Sequence, residues 1–192
     1  MCFFDKEDNL TKKQSKFERD YPLIMERLEI EKEDIKDGLA EEFYRRNFFE
    51  IILGKKPKIE IKKHYKNGKL HGSWEMFYSN GQVYWRMNYK NGKDDGPFEK
   101  FHPNGQLLYR ENYKDGKLVG PYEMFYKNGQ LSERVNYKDG IEHGSWEMFY
   151  QNGQLKGRGN YKNGEFDGLL EYFDENGNLD RTEEWKDGER IN

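Results

Sequence analysis

Five glutamates recur at a fixed spacing of 24 residues, and they are the first groups whose pattern could carry chemistry. They are Glu75, Glu99, Glu123, Glu147 and Glu171. If each belongs to a two-strand unit, neighbouring carboxylates lie roughly 10 Å apart, a separation at which two of them could flank a water molecule. An enzyme has one active site, however, whereas this row repeats in every unit. We therefore interpret the row as structural, solubilising a sheet or accepting hydrogen bonds from neighbouring loops.

Other residues that could hold a metal or a nucleotide are poorly placed for it. His71 and His143 occupy equivalent positions three units apart, which puts them roughly 29 Å from each other at the usual strand spacing. The segment "DENGNLD" at 174–180 lacks the length and the closing glutamate of an EF-hand, so a hairpin turn explains it better. The Gly-x-Gly at 157–159 falls in a strand rather than before a helix. We expect no metal, no cofactor and no catalytic residue.

The composition excludes several classes of protein. Of 192 residues, 34% are hydrophobic, 16% aromatic and 36% charged, with a net charge of −3. A disordered chain would be poor in aromatic residues, and this net charge provides no general attraction to nucleic acid. No run of about 18 apolar residues is present, so no transmembrane helix is expected. We expect a thin folded structure whose burial comes mainly from aromatic rings.

Cys2 is the single cysteine and bears on redox chemistry and location. It cannot form a disulfide within the chain. No signal peptide is recognisable, which favours a cytoplasmic protein. A cell-envelope lipoprotein is the alternative if Cys2 is a mature N terminus. The sequence does not define the oligomeric state.

The glutamates belong to a longer repeat with the same period. The segment "GSWEMFY" occurs at Gly72–Tyr78 and again at Gly144–Tyr150, an offset of 72 residues, or three periods. Each unit reads Tyr-Lys-Asn/Asp-Gly, three variable residues, Gly, a strand-like stretch, Asn-Gly and a second strand-like stretch. Such repetition is typical of arrays of one supersecondary unit. The sequence predicts a mainly β fold, a run of antiparallel β-hairpins with eleven strands.

Both loops of each unit are predicted to be three-residue hairpin loops with a glycine in the left-handed region. In that geometry Tyr78 pairs with Gln82 across one loop, and Tyr89 pairs with Lys93 across the other. The Asn-Gly glycines are expected to have positive φ. They are Gly81, Gly105, Gly129, Gly153 and Gly177.

Counting outward from the first loop predicts the register of each hairpin. Phe77 should face Val83, and Trp74 should face Arg86. A structural spine then lies on the face opposite Trp74 and Arg86. It consists of the recurring Phe, the Leu or Val that it faces, and the Tyr of Tyr-Lys-Asn-Gly. Gly96 and its equivalents should lie beneath large side chains that a β-carbon would crowd.

The face carrying tryptophan and arginine is the candidate partner-binding surface, because these residue types are enriched at interaction hot spots. An alternative, compatible with the first, is that the rings only rigidify a single-layer sheet by stacking with arginine. The candidate residues are Trp74, Tyr78, Tyr84, Arg86, Phe98, Arg110, Tyr122, Tyr126, Arg134, Trp146, Tyr150 and Arg158.

Residues 1–57 contain none of the repeat, and residues 58–192 form the array. The first part is predicted to be a short helical lead-in that caps the array, because apolar residues recur at helical spacing over 39–53. Gly54 and Pro57 would end that helix. In the last unit, polar residues such as Asp180 and Thr182 would discourage end-to-end polymerisation.

The pattern "YKNGKLHGSWEMFYSNGQ" resembles MORN repeats, in the bacterial variant form found in proteins labelled YwqK-family antitoxins. The resemblance spans about 58–188. The resemblance implies an elongated single-layer antiparallel meander of β-hairpins with a role in binding or scaffolding, and it implies no catalytic residue. The kinase activity that accompanies some MORN proteins is not expected, since no kinase motif is present.

The resemblance therefore favours a non-enzymatic repeat protein that binds another protein or acts as a scaffold, with an antitoxin or immunity protein as one form. The alternative is a peripheral membrane or lipid-binding protein. It is less favoured, because the loop lysines are offset by Asp and Glu and no basic patch stands out.

Overall fold

The computed structural model describes residues 37–43 and 59–192. Their strands form a single antiparallel sheet in which neighbours follow one another in chain order. The strands are β1 (Gly38–Phe43), β2 (Ile59–Lys66), β3 (Lys69–Phe77), β4 (Val83–Lys90), β5 (Lys93–Phe101), β6 (Leu107–Lys114), β7 (Lys117–Leu118), β8 (Gly120–Phe125), β9 (Leu131–Lys138), β10 (Ile141–Phe149), β11 (Leu155–Lys162), β12 (Glu165–Phe166), β13 (Gly168–Phe173), β14 (Leu179–Lys186) and β15 (Glu189–Arg190). This confirms the predicted single-layer meander of hairpins.

The number of strand positions in the array agrees with the prediction. The short strand β7 continues into β8 after a one-residue interruption, and both lie next to β6. In the same way β12 continues into β13, and both lie next to β11. Counted in this way, β2 to β14 occupy eleven positions. Two further strands, β1 and β15, lie at the two edges.

Strand β1 corrects part of the expected helical lead-in. Gly38 pairs with Tyr65 and Ala40 pairs with Lys63, so Leu39–Phe43 form a strand and the helix predicted to begin at Leu39 is wrong for these residues. Pairing with β2 satisfies the backbone groups of β1, and this tertiary contact outweighs the local helical spacing. The rest of the predicted helical region lies outside the described residues. No helix long and apolar enough to cross a membrane occurs in the described part of the chain.

The first loop of each unit is the three-residue turn that the sequence predicts. The backbone N–H of Tyr78 donates to the carbonyl of Gln82 at 2.7 Å, and the N–H of Gly81 donates back to the carbonyl of Tyr78 at 2.8 Å. Gly81 has φ of 88°, a conformation that glycine adopts without the steric penalty of a side chain. The four equivalent glycines also have positive φ, which confirms the prediction: they are Gly105, Gly129, Gly153 and Gly177.

The second loop is shorter than predicted. Lys90 pairs with Lys93, and Tyr89 pairs with Asp94 instead of Lys93. The two residues between the lysines, Asn91 and Gly92, have φ of 53° and 83°, which is the signature of a type I′ turn. The prediction of a three-residue loop was wrong here, because both central residues take the left-handed conformation of a type I′ turn, whose twist matches that of the flanking strands.

A β-bulge follows the first turn and changes the register. Phe77 faces Val83 as predicted, but the next pair is Met76 with Trp85, so Tyr84 is an extra residue without a partner opposite. The same shift occurs in the other four units. A bulge of this kind exchanges the faces of all residues beyond it.

Because of this bulge, the predicted Trp74–Arg86 pair is wrong. Arg86 faces Glu75, and Trp74 faces Met87. Opposite residues of an antiparallel pair project to the same side of the sheet. The tryptophans and the arginines therefore lie on opposite faces.

A second irregularity places a glycine opposite a small side chain. Met87 pairs with Phe98 and Tyr89 pairs with Asp94, which leaves Asn88 opposite the three residues centred on Gly96. Gly96 has φ of 118°, and its nearest potential clash is the β-carbon of Asn88 at 3.1 Å. The expectation that large side chains cover this glycine is wrong, because its neighbour is Asn88; the positive φ is what favours glycine here.

The core lies on one side of the sheet. Its most buried member, Leu170, has 0% of its surface exposed, and Ile61 has 2%. The register places all buried hydrophobic residues on the face that carries Trp74. They are Ile61, Met76, Trp85, Leu118, Val135, Trp146 and Leu170.

Candidate functional site

A continuous row of aromatic rings runs across the face that carries Trp74, which we call the ring face. Successive ring centroids lie between 5.2 and 6.4 Å apart, the range of favourable aromatic pairs. Each of these rings comes from a different strand, from β3 to β9. The row consists of Trp74, Trp85, Phe98, Tyr109, Tyr122 and Tyr137.

Beyond this row, the ring face continues as a second packed cluster. Val135, Trp146 and Leu170 form its buried centre, and the rings of Phe166 and Trp185 pack against it. All four tryptophans of the chain thus lie on the ring face.

The opposite face, which we call the arginine face, carries a ladder of ion pairs. Arg134 bridges two strands, at 2.9 Å from Glu123 and 3.1 Å from Glu147. Arg110 also pairs with Glu123. Equivalent pairs join Arg86 to Glu99 and Arg158 to Glu171. Four of the five glutamates of the row thus pair with arginines of neighbouring strands, rather than with neighbouring loops as the sequence suggested.

Three of the four guanidinium groups also lie near a phenylalanine ring of the same face. Arg86, Arg110 and Arg158 lie 5.5, 5.9 and 5.5 Å from the ring centroids of Phe101, Phe125 and Phe173. These are cation–π distances. The predicted stacking of arginine on aromatic rings occurs, but with the phenylalanines rather than the tryptophans.

Glu123 is the most enclosed member of this ladder, with 4% of its surface exposed. Burial acts to raise the pKa of its carboxyl, but the hydrogen bonds and charges of Arg110 and Arg134 outweigh it and lower the pKa overall. The group is therefore a buried carboxylate held ionised by two cations. It links neighbouring units through these two ion pairs.

The predicted partner-binding residues divide into three sets. Trp74, Phe98, Tyr122 and Trp146 lie on the ring face. The four arginines lie on the arginine face, which corrects the expectation of one shared surface; they are Arg86, Arg110, Arg134 and Arg158.

The remaining candidates lie next to the three-residue turns. The hydroxyl of Tyr78 donates to the carbonyl of Phe101 in the following unit at 2.8 Å, and the ring of Tyr84 lies 4.8 Å from that of Tyr78. Tyr126 and Tyr150 make the same bond to the next unit. These hydroxyls join consecutive units.

The tyrosines of Tyr-Lys-Asn-Gly, expected in the spine on the opposite face, lie on the ring face. Tyr89 is opposite Gly72 and close to Trp74, with 5.8 Å between ring centroids. Burial raises the pKa of this tyrosine, and the same cause raises that of Tyr161 to about 12. The predicted spine is thus split, with its phenylalanines on one face and its tyrosines on the other.

Sequence reasoning missed a set of carboxylates on the ring face. Glu111 accepts a hydrogen bond from the hydroxyl of Tyr113 at 2.8 Å, and Glu133 accepts one from the indole N–H of Trp146 at 3.1 Å. The signal for them was the alternation of the strands, which becomes readable once the bulge is included. No group of three or more His, Cys, Asp or Glu side chains that could hold a metal occurs in the residues described.

The repeat units of the structure match the repeat of a known protein family. The family described as MORN repeat variant matches five consecutive segments, residues 70–91, 94–115, 118–139, 142–163 and 166–187, which together make up more than half of the chain. The chain belongs to the MORN repeat variant family. Each MORN segment begins just after a type I′ turn and ends within the next one, so it contains one complete hairpin. A search of curated proteins found no match. Membership indicates a repeat protein of the binding or scaffolding type.

Proposed function

We propose that this MORN repeat protein is a non-enzymatic binder of another protein, and that the ring face is the surface that binds. The observation that supports this most is the unbroken row of six rings on one side of a single-layer sheet. Phe98 and Tyr122 in the middle of the row keep part of their surface exposed. Large aromatic side chains supply contact area at a small cost in side-chain entropy.

A second part of the proposal concerns the kind of protein binder. We propose a cytoplasmic antitoxin or immunity type of binder, because the repeats resemble those of YwqK-family antitoxins. Such a binder acts by covering a surface of its partner, for which a broad regular face is better suited than a pocket.

The proposal is tested with two double variants of matched chemistry. Phe98→Thr with Tyr122→Thr removes two rings from the ring face while keeping residues that favour strands. Leu169→Thr with Leu179→Thr removes apolar area from the arginine face, where these leucines are 53% and 56% exposed. A partner captured from the native cells and then purified should bind the second variant normally and the first at least about tenfold more weakly.

Two outcomes would contradict the proposal. One is unchanged binding of the partner by a folded ring-face variant. The other is co-sedimentation of the chain with anionic lipid vesicles that is lost in the ring-face variant, without capture of any protein. The second outcome would identify a peripheral membrane protein instead.

A further inference from the structure

Three carboxylates on the ring face differ in their partners from the glutamates of the arginine face. On the arginine face, Glu99, Glu123, Glu147 and Glu171 each pair with an arginine. On the ring face, Glu111, Glu133 and Glu142 accept hydrogen bonds from a tyrosine or tryptophan, and no lysine or arginine of residues 37–43 or 59–192 lies within ion-pair distance of them. Glu183, in one of the last strands of the ring face, does pair with Arg181 and Arg190.

Two of these carboxylates lie at the middle of the ring face, around Tyr122. Glu111 is directly opposite Phe98, and Glu133 is directly opposite Met124. Both are half-buried. Burial raises the pKa of Tyr122 to about 12, and the negative charges of Glu111 and Glu133 add to this effect. Around Tyr122 the ring face therefore combines rings with two carboxylates, and Lys100 lies opposite Tyr109 on the same face.

Half-buried carboxylates without a cation are costly, because burial removes part of their hydration without an ion pair to replace it. A positive group brought in by a partner would remove that cost. The rings can hold such a group as well: the ammonium of Lys100 lies 5.2 Å from the ring centroid of Tyr84 and 5.9 Å from that of Tyr109. This shows that the spacing of the rings admits a lysine side chain at cation–π distance.

We propose that the centre of the ring face binds a basic segment of the partner protein, with lysine or arginine side chains placed between Glu111 and Glu133 and over Tyr122. This inference rests on the proposed function, since it names the chemistry of the protein that the ring face binds. Charge complementarity favours this occupant over an acidic peptide or an anionic membrane.

The test uses the full chain and a fluorescent oligo-arginine peptide, with oligo-glutamate and Gly-Ser peptides of equal length for comparison. Glu111→Gln with Glu133→Gln removes both charges but keeps an oxygen acceptor for Tyr113 and Trp146. Glu175→Gln with Glu184→Gln makes the same change in net charge at exposed positions away from the ring face. Peptide binding is measured by anisotropy, and by tryptophan emission, since every tryptophan lies on the ring face.

We expect the oligo-arginine peptide to bind and to change the tryptophan emission, and the ring-face variant to bind about tenfold more weakly. The control variant should bind like the original protein. Equal weakening in both variants would show a general charge effect and overturn the inference, as would equal binding of oligo-glutamate. If the double variant does not fold, the single variants Glu111→Gln and Glu133→Gln carry the same comparison.

Failure of this inference can be distinguished from failure of the proposed function. If the oligo-arginine peptide does not bind, but removal of Phe98 and Tyr122 abolishes binding of the captured protein, the ring face binds a partner that is not basic. If the same ring-face variant retains that partner, the ring face is not the binding surface and both proposals fail.

Discussion

Gly157 lies directly beneath the indole ring of Trp146, so close that a β-carbon at Gly157 would lie 3.1 Å from Cη2 of Trp146. Cδ1 of Tyr172 would lie 3.3 Å from the same β-carbon. Unlike the turn glycines, Gly157 has no positive φ, so close packing alone requires it.

The first prediction concerns this contact. Gly157→Ala should lower the free energy of unfolding by about 1–3 kcal/mol, because Trp146 is buried and can move little. Denaturant unfolding measures the loss. In a double-mutant cycle, Trp146→Phe combined with Gly157→Ala should cost less than the sum of the two single changes, since the smaller ring makes room for the methyl group. Strict additivity of the two would argue against the contact.

The second prediction concerns the three-residue turns. At Gly129, φ is 84° and the nearest atom to an added β-carbon is 3.9 Å away, so the cost of alanine is backbone strain alone. Gly129→Ala should destabilise the protein by about 1 kcal/mol, and Gly129→Asn should cost less, because asparagine tolerates the left-handed region better. Thermal unfolding compares the two. Equal losses would mean that the strain is not confined to the backbone.

The third prediction concerns the arginine face. Arg134→Glu places a third carboxylate beside Glu123 and Glu147, and Glu123 has little access to water. We expect a loss of stability of about 1–3 kcal/mol, because Glu123 is buried, although the Arg134 side chain is 39% exposed and Arg110 still pairs with Glu123. Arg158→Glu, where the arginine side chain is 54% exposed, is the matched control and should cost much less. Similar melting temperatures for the two variants would contradict this account.

The fourth prediction concerns alkaline pH. The pKa of Tyr122 is raised from 10.0 to about 12, so between these values the folded state keeps a proton that the unfolded state has lost. The stability that Tyr122 contributes is therefore complete below pH 10 and is lost as pH rises towards 12. Tyr122→Phe should make the decline of stability above pH 10 less steep, which unfolding by denaturant at a series of pH values would show. An unchanged slope would refute this.

The repeat, the strand number and the positions of the turns were predictable from the fixed period and its Asn-Gly or Asp-Gly steps, but the same Asn-Gly step closes both three-residue and two-residue turns, so the loop length was not. The face on which each residue beyond the turn lies was not predictable, because one bulge residue exchanges the two faces of the sheet. A signal for it was present: the bulge position holds Tyr84 in one unit and Leu, Ser, Lys or Asp in the others, as suits a residue with no fixed face. The opposite charges of Glu75 and Arg86 also favoured the observed pairing.

The candidate surface was only partly predictable for the same reason. Its rings at Trp74, Phe98 and Tyr122 do share a face, but Arg86 and its equivalents do not join them. Strand β1 was missed because its pairing with β2 is a long-range contact that no local pattern of residues 39–43 reveals.

The type I′ turns show how far one unit depends on the next. The N–H of Gly92 donates to the carbonyl of Leu70 in the preceding unit, and Gly116 and Gly140 make the same bond to theirs. Residues 88–90 and 112–114 both read Asn-Tyr-Lys. Excising residues 89–112 would therefore splice Asn88 to Tyr113 and recreate a junction that the chain already contains. The repeat units are in this sense interchangeable, and the length of the ring face depends on how many units the chain contains.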